Sequence, residues 1–126
     1  MNDILNIGVA QSPKRLLEVT KIDKQIVTTN SGKVLDKIIL ETVEQSTGKT
    51  FTISDSWIED PDGSKRVKGL WFSLVEGELN KSSTLARVLT FYEAHIIGDL
   101  MGREIVAYPD KNDYLVLTAC EMSNTR

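Results

Sequence analysis

From Lys14 onward the apolar positions follow the two-residue period of half-buried strands. RLLEVTKI and QIVTT form one long or broken strand, and NSGK (Asn30–Lys33) is a turn built on Asn and Gly. VLDKIILETVEQ is β-branched and long enough to be the major strand of a sheet, and STGK (Ser46–Lys49) closes it with a second tight turn. In TFTISDSWI, Phe51, Ile53 and Trp57 fall on one face and Thr52, Ser54 and Ser56 on the other. Pairing Ile53 with Phe72 and Phe51 with Leu74 across the loop that follows collects Phe51, Ile53, Leu70, Phe72 and Leu74 on a core face. Thr52, Ser54, Ser56, Trp71 and Ser73 then share the other face. Trp57 falls on the core side, and Trp71 stands alone on the hydroxyl-rich side.

One segment changes period. After Ser82 or Ser83, which supplies an N-cap, Leu85, Val88, Leu89 and Tyr92 make a single helical stripe. This predicts a helix to about His95, ended by Gly98, with a further turn at DLMG closed by Gly102. REIVAY and YLVLTAC then read as a hairpin around Pro109–Asp113, with Tyr108 and Tyr114 as a cross-strand aromatic pair or, as the second choice, a further stacking platform. The divisions are residues 1–13 as a terminal segment, 14–120 as one domain and 121–126 as a tail.

Composition narrows the function classes. A chain of 126 residues supports one core. No apolar run approaches the roughly 20 residues of a membrane span. The single cysteine, Cys120, cannot form an internal disulfide, which with the absence of a signal-like N-terminus predicts a reducing, cytoplasmic location. A net charge of −3 argues against general polyanion binding but leaves room for a local basic groove. The chain carries no phosphate loop, nucleophile elbow, H-E-x-x-H or C-x-x-C, and EDPDG lacks the later ligands of a calcium loop. With one histidine, His95, and one cysteine, nucleophile–base schemes lack parts. The expectation is a non-enzymatic protein without metal or cofactor.

From Val34 the order is strand, strand, strand, helix, strand, strand. VLDKIILETVEQ, TFTISDSWI, VKGLWFSL, STLARVLTFYEA, REIVAY and YLVLTAC in that order resemble the OB-fold, a five-stranded barrel with a helix between strands three and four. Residues 14–29 would be an extra N-terminal strand. The run from STLARV to YLVL, with DLMGR as its turn, is similar to the corresponding part of phage and archaeal OB-type single-stranded-DNA-binding proteins. The chain lacks the acidic C-terminal tail of several such families. The resemblance implies a ligand face on strands two and three, here carrying Ser54, Trp71 and Ser73, flanked by loops bearing Lys49 and Lys111, with Lys65, Arg66 and Lys68 at one end.

Two readings of these residues stand side by side. Trp71 stacks a base of single-stranded DNA or RNA while the lysines meet phosphates. Alternatively Trp71 is covered by the N-terminal strand or another chain, Lys65, Arg66 and Lys68 are neutralised by Glu59, Asp60 and Asp62, and the protein is an interaction or assembly module.

Overall fold

Long β-branched runs punctuated by Asn and Gly form an antiparallel-rich sheet, and the one stretch with helical spacing forms the one α-helix among the described residues. The computed structural model describes residues 14–122. The segment assigned to residues 1–13, and the tail beyond Met122, lie outside the described residues. The elements are β1 (Arg15–Thr28), β2 (Val34–Val43), β3 (Thr50–Ile53), β4 (Asp55–Glu59), β5 (Lys65–Gly69), β6 (Trp71–Phe72), β7 (Leu74–Val75), β8 (Glu78–Leu79), α1 (Thr84–Phe91), a 3-10 turn (Ile97–Leu100), β9 (Glu104–Pro109) and β10 (Leu115–Thr118). The sheet order is β3-β2-β1-β9-β10-β4-β5, with β6 added to β2, while β7 and β8 pair only with each other. The strand order is an open path; the sheet does not close into a barrel.

The N-terminal strand is not an addition. β1 sits mid-sheet, pairing β2 from Glu18 to Thr28 and β9 from Arg15 to Glu18. A bulge at Thr20 shifts the register between Val19 and Lys21. An extra residue turns the following side chains to the opposite face. Leu17 and Val19 point inward before the bulge, and Ile22 packs on the core after it.

A second parity change corrects the expected hairpin. β3 and β4 are halves of one run separated by Ser54, whose carbonyl accepts the Leu70 N–H at 2.8 Å. Ile53 is buried before the step; Ser56 and Ile58 are buried after it. β3 stays with β2 (Ile53 opposite Leu40), and only β4 pairs β5, with Asp55 opposite Gly69 and Trp57 opposite Val67. Phe72 therefore meets Asp36 rather than Ile53, and Trp71 meets Lys37. Phe51, Ile53, Leu70 and Phe72 do pack on the core, but Leu74 is 60% exposed and Trp57 leaves the core side. VKGLWFSL is not one strand of the main sheet: it is shared among β5, β6 and β7, with Leu70 buried at the first break.

The helix is shorter than its apolar stripe suggests. Ser83 Oγ caps it by accepting the Ala86 N–H, and Leu85, Val88 and Leu89 are buried. It ends at Tyr92, not Gly98, because Glu93 takes a left-handed conformation (φ 55°). Ala94 N–H then bonds Leu89 O, and Glu93 N–H bonds Thr90 O, the pairing of a Schellman motif. The extra turn expected around DLMG forms as the 3-10 turn, with Gly102 left-handed behind it. Tyr108 and Tyr114 are not opposed across the hairpin as expected: Tyr108 is buried opposite Val116, while Tyr114 is on the surface.

Tyr92 fastens the helix to the sheet. Its hydroxyl donates to Thr118 O at 2.8 Å and accepts the Val106 N–H at 3.0 Å, joining α1 to β9 and β10. Burial pushes the phenol up to about 12, against the opposing effect of the Val106 hydrogen bond. A folded-state pKa above the unfolded value near 10 means the contribution is complete below pH ~10 and lost as pH rises towards ~12. Tyr92→Phe should cost about 1–3 kcal/mol in urea unfolding at neutral pH, because two backbone groups lose their partner. The same variant should lack the part of the alkaline stability loss that Tyr92 causes between pH ~10 and ~12.

Candidate functional site

Arg15, Leu17 and Val19 share one face of β1, and Phe51 and Ile53 share one face of β3, so both inward stripes end in a residue at the rim of the core. There the Arg15 guanidinium lies over the Phe51 ring, 5.8 Å from its centre. Arg15 Nη1 also donates to Glu44 Oε1 at 2.9 Å, and the same oxygen accepts Thr47 Oγ1 at 2.7 Å. Glu44 is buried and fixes the arginine and the β2–β3 turn together. Arg15, Lys49, Phe51, Pro109, Asp113 and Leu115 line an open groove of about 390 Å³.

The β9–β10 loop forms the groove's other wall. Asp110 Oδ1 accepts the N–H groups of Asn112 and Tyr114, and Asp110 N–H bonds Tyr114 O. Asp113 is left-handed at φ 68°. This tight loop presents Tyr114, 72% exposed, between groove residues Asp113 and Leu115, and it carries Lys111, also exposed.

Trp71 lies elsewhere, on the outer face of the sheet. Its backbone pairs with Lys37, and both side chains point away from the core that Ile38 and Leu70 enter. Lys37 Nζ sits 4.8 Å from the indole centre and 3.3 Å from Asp55 Oδ1. The lysine side chain is only 16% exposed. A cation on a ring contributes about 0.5–2 kcal/mol, so one face of the indole is already occupied. Gly69 makes the arrangement possible: a Cβ there would stand 2.8 Å from Trp71 Cε2 and 3.1 Å from Lys37 Cε. Both tryptophans are half-buried, so Trp71 is not the freely exposed ring expected on that face. Trp57 Nε1 is buried without a hydrogen-bond partner.

The other expected residues separate. Lys49 lines the groove, and Lys111 is exposed on the β9–β10 loop without lining it. Lys65, Arg66 and Lys68 are exposed on β5, the last strand of the sheet, where Arg66 Nε is held by Asp60 Oδ2 at 2.8 Å. Ser54 acts through its carbonyl, and Ser73 is exposed with its carbonyl accepting Asn80 N–H. Asp62 turns back onto Ser64, whose hydroxyl and N–H hold its carboxyl below the usual range; EDPDG is a turn. Cys120 is buried, and desolvation pushes its thiol up. Among the described residues no three His, Cys, Asp or Glu side chains gather as a metal site. Sequence reasoning missed Arg15 and Phe51 because both continue apolar stripes; only the arginine at the end of such a stripe marks a rim.

No family model, curated protein or solved structure matches this chain.

Gly69→Ala should destabilise the fold by about 1–3 kcal/mol through overpacking, measured by urea unfolding. In a Trp57→Phe background the same change should raise acrylamide quenching of Trp71, because the added methyl displaces the indole. Unchanged quenching would show that the indole does not rest on Gly69.

Proposed function

We propose that the protein binds single-stranded nucleic acid, DNA or RNA, and does so without catalysis. The observation that carries this reading is a groove holding two cations, Arg15 and Lys49, with the exposed Tyr114 next in the chain to its Asp113 and Leu115. A splayed base stacks on a ring or guanidinium plane while lysines meet the backbone, a combination open to single strands and closed to paired bases. Tyr114 is the principal stacking residue. Trp71, with Lys37 on one face, is a secondary one.

The topology supports an OB-like reading with its strands reassigned. β1, β2, the β3–β4 run, β9 and β10 take the five strand places, and α1 falls between the third and fourth. The parallel pairing of β10 with β4 is consistent with that order. In this reading the fourth-to-fifth loop carries Lys111 and Tyr114, and the face of strands two and three carries Lys37, Ser54 and Trp71. Ligand surfaces of OB-folds lie in these places. Ser73 and Lys65 lie towards the outer face that carries Trp71, whereas Arg66 and Lys68 stand opposite the buried Ile58 and Ser56 on the other face, and Arg66 is already paired, so the contribution of this group is secondary.

Anisotropy of a labelled mixed-sequence oligonucleotide at low salt tests the proposal. Single strands should bind more tightly than duplex. Stacking is worth roughly 1–3 kcal/mol per base, so Tyr114→Ala should weaken binding by about one to two decades, and Trp71→Ala by less. Lys49→Ala and Lys111→Ala should each flatten the salt dependence by about 0.7 in log–log slope for every phosphate no longer neutralised. No anisotropy change at high micromolar protein would remove nucleic acid as the ligand.

A further inference from the structure

A second surface has the opposite chemistry. Hairpin β7–β8, α1 and the 3-10 turn enclose an apolar groove of about 720 Å³, whose walls include Leu74, Leu79, Leu89, Ile96 and Ile97. Leu74 and Ile96 are more than half exposed, 60% and 64%, in a region where Val75 and Phe91 are exposed as well. Contiguous apolar surface of this kind marks interaction sites. The rim is acidic. Glu78 lines the groove, Glu76 precedes its Gly77, and Glu93 lies between its Thr90 and Ala94.

Two of these glutamates are strained. Glu76 (φ 53°) and Glu93 (φ 55°) hold left-handed positions that glycine adopts freely. Glu93 occupies the helix-ending position where glycine is the usual residue. Glu76 and Gly77 are the two left-handed residues of the tight β7–β8 turn, so both glutamates stand where local turns demand the conformation, beside the groove.

The same chain carries a matching shape. Beyond its pairing with β9, the β1–β2 hairpin runs on as an arm, Lys24–Val34, with sequence KQIVTTNSGKV. Ile26 (61%) and Val34 (63%) are exposed on one face of it, since Ile26 pairs Asp36 and Thr28 pairs Val34. Lys24 and Lys33 flank them; Lys24 Nζ lies 4.0 Å from Asp36 Oδ1, the residue opposite Ile26, whereas Lys33 stands at the exposed turn. The turn is held by Thr29 N–H to Lys33 O at 2.8 Å and by Lys33 N–H to Thr29 Oγ1.

We propose that the β1–β2 arm of one copy docks into the α1–β7–β8 groove of a second copy, Ile26 and Val34 filling the apolar floor, Lys33 meeting Glu76, Glu78 and Glu93, and Lys24 exchanging its Asp36 partner for them. The contact is head-to-tail, since arm and groove are different surfaces. Such a contact builds rings or open chains rather than a two-fold dimer. With two aliphatic anchors on the arm the association is weak, reversible and salt-sensitive. It is independent of the Tyr114 groove.

Sedimentation velocity at rising protein concentration and low salt tests it. The wild type should form species larger than a dimer, diminished by added salt. Ile26→Asp disables the arm and Ile96→Asp the groove; each alone should be monomeric with an unchanged circular dichroism spectrum. Mixed, they should form a heterodimer and nothing larger, because one intact arm meets one intact groove. A wild type that stays monomeric at millimolar concentration overturns the proposal and assigns the groove to another protein. Variants that still assemble, or a mixture that stays monomeric, overturn it as well.

Discussion

The bulge at Thr20 is the constraint from which the rest of the sheet follows. Before it, β1 gives one edge to β9 and sends Leu17 and Val19 inward; after it, the strand belongs to β2 alone with its faces exchanged. Val19 is clamped there from outside the strand ladder, its N–H to Arg103 O and its carbonyl to Gly102 N–H. Thr20 Oγ1 bonds Glu41 O across the irregularity. A flat strand of this length would keep one face on the core throughout. The bulged one turns away from β9, places Arg15 at the core's rim and carries Ile26 out past it.

How much of this was legible depended on whether parity was continuous. β2, β9 and β10 were readable as strands from their residues alone. Ser54 defeated the reading of the tryptophans, because Thr52, Ser54 and Ser56 look like one uninterrupted hydroxyl face. A one-residue step inside a run of similar side chains leaves no compositional mark, and it sent Trp57 outward and Phe72 to β2. The helix stripe was readable; its end was not, since a glutamate stands where glycine is expected. Lys49 and Lys111 were recognisable as loop cations, whereas Arg15 and Phe51 meet only through the pairing of β1 with β2 and of β2 with β3, a tertiary fact.

Charge in this protein is balanced at short range. Glu44 holds Arg15, Asp55 holds Lys37 and Asp60 holds Arg66. In two of the pairs one partner, Glu44 or Lys37, is largely out of water, so each pair holds its cation in one orientation. Each fixes a cation beside a particular feature: a phenyl ring, an indole ring or a turn. The net charge of −3 therefore describes the surface poorly. What matters locally is which lysines stand on loops and which carboxylates line the apolar groove.

The double pairing of β1 also orders events in time. Its partner β2 lies next in the chain, so that hairpin closes over a short loop, whereas β9 arrives about ninety residues after Arg15 and closes the slowest contact of the fold. During synthesis β1 must wait, one edge unpaired, until β9 has been made. Strand edges left open in this way recruit other chains. Of the charged residues that interrupt β1, Glu18 lies in the stretch that β9 covers, while Lys21, Asp23 and Lys24 lie beyond it, where charge guards an edge that stays unpaired in the finished sheet.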